Sequence, residues 1–285
     1  MKNDKFGLDG KSIKELVENA DDLFRGDKDK KIKAHKIYQS ILKKIPNSQD
    51  GDKPYLLRGI IRKRIWDCLK EIDQNLNYFS EAGQDMFIKE SFFRNKKKGF
   101  FVEIGAYDGV QGSNCYYFEK HMDWQGIAIE ASPLQFEKLK KNRNCKLINA
   151  ALGSDNKKVE FYEVTEGFTQ MSGINNLNFK NSFERIKKNS NSKINKINIE
   201  CKTFEKLIPS GQIIDLISID IEGNEFDVLK SIDFKKYEIK VIVLENNIPN
   251  QLSYLKFFLE KNFSYFDRIG MDEIYYNQKY FNLEK

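Results

Sequence analysis

Apolar side chains recur at helical spacing along residues 12–44. Ile13, Leu16, Val17, Ala20, Leu23 and Phe24 form one stripe, and Ala34, Ile37, Tyr38, Ile41 and Leu42 form a second. Each stripe predicts an amphipathic helix. Ser12, with Glu15 three residues on, is a capping-box start, and Gly26-Asp27 breaks the pattern between the two. Ala34, Tyr38, Ile41 and Pro46 have the spacing of the second helix of a tetratricopeptide repeat. No second copy follows, so an ordinary helical hairpin accounts for them at least as well. The stretch PNSQDGDKP (46–54) reads as a linker. Leu57, Ile61, Ile65, Leu69, Ile72 and Leu76 then mark a longer amphipathic helix over 55–76, with Trp66 helping to dock it. Together these segments define a helical appendage at residues 1–78.

From Lys98 the period changes. Short apolar runs appear at FFVEIGA (100–106), GIAIEA (126–131), CKLINAAL (145–152), VEFYEV (159–164), IDLISID (214–220), VIVLEN (241–246) and DEIYYN (272–277). Helical stretches near 112–122, 133–143, 223–232 and 250–262 fall between several of them. Strands alternating with helices predict an α/β fold over 79–285, a Rossmann-like, doubly wound, mostly parallel sheet covered on both faces. In such sheets ligands sit beyond the carboxyl ends of the strands. Residues 165–198, rich in Asn, Ser and Lys, lack periodicity and read as a long loop, either a lid or a surface excursion.

Composition narrows the class. Hydrophobic residues make up 40% of the 285, enough for a core, and no run approaches 18 apolar residues, so no membrane span is expected. The N-terminal MKNDKFGLDG has no apolar segment of a secretory signal. The 4 cysteines form no CxxC pair and read as reduced thiols, which places the chain in the cytoplasm. Residues 1–98 hold 23 Lys and Arg against 16 Asp and Glu, whereas residues 99–285 hold 25 against 26. The basic excess, with Arg58, Arg62, Lys63 and Arg64 at its centre, reads as a solvated helical face. No nucleic-acid motif accompanies it, which disfavours a nucleic-acid partner.

Candidate chemistry gathers at the strand ends. The first strand runs into Glu103-Ile104-Gly105-Ala106-Tyr107-Asp108-Gly109. A glycine there lets a ligand approach the backbone, but Tyr107 stands where the dinucleotide fingerprint needs glycine, which disfavours hydride transfer with NAD. Glu130 ends the second strand 25 residues after Gly105, the place of an acid that accepts both ribose hydroxyls. Asn149 and Ala150 follow the third strand, beside the expected adenine slot. The strand over 214–220 ends in Asp220-Ile221-Glu222-Gly223, and the next ends in Glu245-Asn246-Asn247. Three acids at adjacent tips repel one another, and such clusters persist when they meet a cation, a hydroxyl-rich substrate or a positive cofactor. Asn-Pro-Pro-Tyr, the motif usual for base methylation, is absent from 220–223.

These blocks, in this order and spacing, resemble the FkbM-type S-adenosylmethionine-dependent methyltransferases. The resemblance rests on Gly83-Gln84-Asp85, FVEIGAYDGVQGSN, GIAIEASPLQFEKLKKN, NAALGS, IDLISIDIEGNEFDVLKSI and VIVLEN, and it covers roughly residues 80–277. Ser218 stands where the family usually has lysine. The resemblance implies methyl transfer from S-adenosylmethionine to a hydroxyl of a sugar, glycan or related small molecule. Carried over by position, Glu103, Gly105, Ala106, Asp108, Ser113 and Asn114 surround the methionine part of the cofactor. Glu130 and Ala131 hold the ribose, Asn149 and Ala150 flank the adenine, and Asp220, Glu222 and Glu245 face the acceptor. Either Asp220, with Glu222 as second choice, takes the hydroxyl proton, or a divalent cation held by the acids lowers the hydroxyl pKa. A competing expectation is a non-catalytic adaptor whose N-terminal helices bind a partner and whose Rossmann-like domain is a relic. In either case the N-terminal helices are a candidate surface for pairing two copies of the chain.

Overall fold

The computed structural model describes residues 12–47, 53–176, 179–188, 191–247 and 253–281. Three helices come first, α1 (Ile13–Phe24), α2 (Lys28–Lys44) and α3 (Lys53–Ile72). Ser12 and Glu15 form the expected capping box on α1, and Asp27 caps α2 by accepting from the Lys30 amide. Their stripes meet in one core that buries Leu16, Ala20, Ala34, Tyr38, Ile41 and Ile61. The repeat-like positions of α2 thus pack within a three-helix unit. Of the segment read as a linker, residues 48–52 lie outside the described residues.

After α4 (Gln84–Phe92), the alternation beyond Lys98 produces β1 (Phe100–Ile104), α5 (Tyr116–Met122), β2 (Gln125–Glu130), α6 (Pro133–Asn142), β3 (Lys146–Asn149) and β4 (Ala151–Leu152). Next come β5 (Lys157–Glu166), β6 (Gly173–Ile174), α7 (Lys180–Lys188) and β7 (Lys193–Lys202). The chain continues with α8 (Phe204–Leu207), β8 (Ile213–Ile219), α9 (Glu225–Ser231), β9 (Glu238–Glu245), α10 (Ser253–Leu259), β10 (Phe263–Ile269) and β11 (Asp272–Asn277). Seven strands form the main sheet in the order β10-β11-β9-β8-β1-β2-β3. All its pairings are parallel except those of β11, which runs against both β9 and β10. Strands β1, β2, β8 and β9 are buried nearly end to end, as expected where both faces are covered. The connection order reverses between β1 and β8, which fixes the crevice where an open α/β sheet takes its ligand.

The apolar run CKLINAAL splits, with β3 in the main sheet and β4 in a second sheet of order β4-β7-β5-β6. VEFYEV belongs to that second sheet. The described residues of the segment read as a loop therefore form an ordered excursion. Val164, Met171, Phe179 and Ile186 bury a small core of their own, and Tyr162 stacks on Phe183 at 4.5 Å.

Helix α3 lies against the far edge of the main sheet. Arg58 Nε donates to Asp267 Oδ1 at 2.6 Å, Arg62 pairs with the same buried carboxylate, and Tyr55 donates to Glu273. The Gly270 amide donates to Gly59 O at 3.1 Å. A Cβ on Gly59 would stand 2.4 Å from Gly270 O, so the close approach requires glycine. Lys63 pairs with Asp67 and Arg64 with Asp21. The basic cluster read as a solvated face is thus engaged in docking and internal pairs, and the acids that meet Arg58, Arg62 and Arg64 lie far off in sequence. Among the described residues, no helix is long and apolar enough to cross a membrane.

Candidate active site

The tips of β1, β2, β8 and β9 open on a cavity of about 420 Å³, within the roughly 300–1,000 Å³ usual for small-molecule sites. Glu103, Gly105, Ala106, Ser113, Asn114, Glu130, Ala131, Ala150, Asp220, Glu222 and Glu245 all line it. Asp108 and Asn149 do not. Asp108 Oδ1 accepts from the amides of Val110 and Gln111 and shapes the loop after β1. Asn149 Nδ2 donates to the carbonyls of Glu130 and Ala131 and steadies the β2 tip from behind.

Gly105 sits where three strands converge. Its φ is +86°, and a Cβ there would lie 1.7 Å from Asp220 O. The amides of Gly105 and Ala106 both donate to Ile129 O at 3.0 Å, and that of Asp220 donates to Ile104 O at 3.0 Å. Tyr107 and Glu222, both on the cavity wall, also have left-handed backbones, with φ of 49° and 56°. Such conformations in non-glycine residues concentrate at functional sites. Glu222 and Gly223 form a tight turn whose Ile221 and Gly223 amides donate to Glu225 Oε1 at 3.3 and 2.9 Å.

Glu130 is buried at the β2 tip. Its Oε2 accepts from the Tyr107 amide at 2.8 Å and its Oε1 from the Ser132 amide at 2.7 Å. Burial pushes its pKa up to about 7 against these bonds, which favour the charged form. Each oxygen keeps a lone pair for a further donor. Ser132 also caps α6 and donates to Glu163 Oε1 at 2.6 Å.

On the opposite wall the acids converge as expected. Asp220 follows β8 with its side chain exposed to the cavity. Loss of bulk water, then Asp272 and Glu222, raise its pKa well above the usual carboxylate range. Burial, then Asp220, does the same to Glu245. Asp272 belongs to this group too, and burial lifts it to about 6 while it accepts from Gln84 Nε2 at 2.9 Å and Asn114 Nδ2 at 3.4 Å. Its place at the start of an antiparallel strand gave no signal in the sequence. His121 is exposed on α5, beside Phe79 and Tyr117, and does not line the cavity.

The sequence profile of the methyltransferase FkbM domain matches residues 103–266, more than half of the chain and every strand tip just described. The chain belongs to the FkbM methyltransferase family. Among solved structures it is similar to methyltransferase FkbM from Methylobacillus flagellatus KT, at 11% identity and TM-score 0.42, covering 84% of this chain and 57% of that one. It thus spans little more than half the length of that relative. It is also similar to precorrin-6y C5,15-methyltransferase from Geobacter metallireducens GS-15, at 10% identity and TM-score 0.38, covering 70% and 88%. A third is the N-terminal domain of human METTL16 in complex with SAH, at 8% identity and TM-score 0.39, covering 99% of each chain. No curated protein matches the sequence.

In this member of the FkbM methyltransferase family, Ser218 occupies the place of the family's usual lysine and accepts from Asn114 Nδ2 at 3.1 Å. Besides Asp272, two residues of the site went unread in the sequence. Gln135, 1% exposed, borders the cavity on the first turn of α6, and among the described residues neither of its amide atoms has a hydrogen-bond partner. Arg143 is buried behind the β1 loop and pairs with Glu103 Oε2 at 2.7 Å and Glu119 Oε2 at 2.5 Å. It also donates to Gly109 O at 3.0 Å, while Ser113 Oγ donates to Glu103 Oε1 at 2.6 Å. Glu103 is therefore an anchor of the loop. Burial alone would lower the Arg143 pKa, but Glu103 and its neighbours raise it. Arg143→Met leaves two carboxylates without their cation, and the expected loss is about 3–5 kcal/mol of stability, read from urea unfolding. A change below 1 kcal/mol would contradict that role.

Proposed function

We propose that the chain is an S-adenosylmethionine-dependent O-methyltransferase acting on a hydroxyl of a sugar, glycan or related small molecule. The observation that carries this reading is one cavity with a glycine-tipped strand and a ribose-type acid, Glu130, on one side and an acidic cluster on the other. The residues fit the cofactor. Gly105 leaves backbone open to close approach, Glu130 keeps lone pairs for the ribose hydroxyls, and the acids favour a cationic sulfur, which offsets their mutual repulsion. Bound there, S-adenosylmethionine would supply a methyl group already activated by its positive sulfur. The residues then have chiefly to align the two reactants and move one proton. Asp220 accepts the proton of the attacking hydroxyl, Glu222 is second in line, and Glu245 helps to seat the acceptor. Among the described residues, no group of three His, Cys, Asp or Glu side chains is placed to hold a metal ion.

Calorimetric titration with S-adenosylhomocysteine tests the cofactor. The wild type should bind, and Glu130→Ala should bind about 10- to 150-fold more weakly, the worth of a hydrogen bond to a charged group. The charged form of Glu130 is the better acceptor, so wild-type affinity should fall as pH drops through about 7. That dependence should vanish in Glu130→Gln. A folded wild type that binds neither S-adenosylmethionine nor S-adenosylhomocysteine would end the reading. Methyl transfer from labelled cofactor to a panel of mono- and oligosaccharides then tests the acceptor class.

A further inference from the structure

The nucleoside end of the cavity has apolar walls, among them Ala131, Ala150, Leu152, Phe161 and Ile174. A planar nucleobase suits such walls on its two faces, but its polar edge needs partners inside the slot. Of the neighbouring polar side chains, Gln170 is exposed, and Thr169, Ser172 and Asn224 are engaged elsewhere. Thr169 Oγ1 bonds the Tyr107 hydroxyl at 2.6 Å, and Ser172 Oγ accepts from the Val164 amide and donates to Thr169 O. Asn224 donates to Leu152 O at 2.9 Å and accepts from Asn176.

Gln135 is different. It is 99% buried at the cavity wall, and among the described residues neither its Oε1 nor its Nε2 has a partner. Neither atom reaches water, so solvent does not satisfy it. A buried amide left in that state is costly, and its terminal torsion is soft. The group that relieves it must enter the slot and offer a donor and an acceptor side by side. An adenine edge does so through its exocyclic amine and an adjacent ring nitrogen, the pattern that glutamine pairs with in two bonds.

We propose that Gln135 is the residue that reads the adenine of the bound cofactor, turning its amide into the slot when the nucleoside enters. This rests on the cofactor reading above and goes beyond it by assigning base specificity to one side chain on α6.

The test uses S-adenosylhomocysteine and its purine analogue lacking the exocyclic amine, titrated against wild type, Gln135→Met and Gln135→Glu. The wild type should prefer the adenine compound by about tenfold or more. Gln135→Met, an apolar replacement of similar length, should bind the adenine compound about tenfold more weakly and lose that preference. Gln135→Glu, which keeps an oxygen for the amine, should restore part of it. Without ligand, Gln135→Met should melt no lower than wild type, since it removes an amide that bonds to nothing. Undiminished affinity in Gln135→Met, an equal loss for both compounds, or a lower ligand-free melting temperature would each overturn the assignment. Failure of wild type to bind S-adenosylhomocysteine would instead overturn the cofactor reading itself.

Discussion

Gly105→Ala should lose S-adenosylhomocysteine binding and about 2–5 kcal/mol of stability. Two costs add. A left-handed backbone costs an L-residue about 1–2 kcal/mol, and forcing a methyl into packed backbone costs about 1–3 kcal/mol. The methyl would fall 1.7 Å from Asp220 O, so the tips of β1 and β8 must part. That movement carries Asp220 away from the cavity and disturbs the bonds from Gly105 and Ala106 to Ile129 O. Urea unfolding and calorimetry on one preparation measure both effects. Wild-type stability together with wild-type affinity would show that the strand tips yield easily, and that Gly105 is no constraint on the site.

Asp220→Asn should lower turnover by about 100- to 10,000-fold, the usual worth of a positioned base, and leave S-adenosylhomocysteine affinity within a few-fold. The amide matches the carboxylate in shape but cannot take a proton. The sign of the pH effect follows from loss of bulk water and the acids around Asp220, which raise its pKa. The base works only when charged. The wild-type rate should therefore climb with pH through that raised value and fall on the acid side of it, above the range of an ordinary aspartate. The folded state holds its proton more tightly than the unfolded chain does. At neutral pH the charged form thus costs stability, and Asp220→Asn should melt no lower than wild type. Full turnover in the variant would transfer the proton to another group, Glu222 first.

Much of this arrangement was legible because it depends on local pattern. Gly105, Glu130, Asp220 and Glu245 each end an apolar strand, and the ends of neighbouring parallel strands must share one rim. The capping box at Ser12 and Glu15 was legible for the same reason, since it spans four residues. What stayed hidden depends on distant partners. Arg143 is one basic residue at the end of a lysine-rich helix, and only the fold brings it under Glu103. Asp272 starts a strand that runs against its neighbours, so its place at the rim follows from a hairpin. Gln135 stands between Leu134 and Phe136 on the first turn of a helix, and only burial sets it apart from an ordinary surface glutamine. The excursion over 165–198 was misread because in β7 two polar residues, Asn195 and Lys196, separate Ile194 from Ile197, and of its isoleucines only Ile197 and Ile199 are spaced by two. So few apolar positions in a run of Lys, Asn and Glu leave no clear period of two.

Arg58 and Arg62 on α3 share one buried carboxylate on β10, Asp267, and Tyr55 reaches Glu273 on β11. Arg268 completes the joint, donating to the Tyr55 hydroxyl at 2.7 Å and to Asn246 O at 3.0 Å, one residue beyond Glu245. These partners come from opposite ends of the sequence, and each is a liability without the others. Evolution therefore cannot shuffle the N-terminal helices as a cassette. Helices without Arg58 and Arg62 would leave Asp267 buried without its cations, next to the Arg268 that bonds Asn246 O beside Glu245. Descent should keep this joint as an inherited set, with substitutions on one side answered on the other.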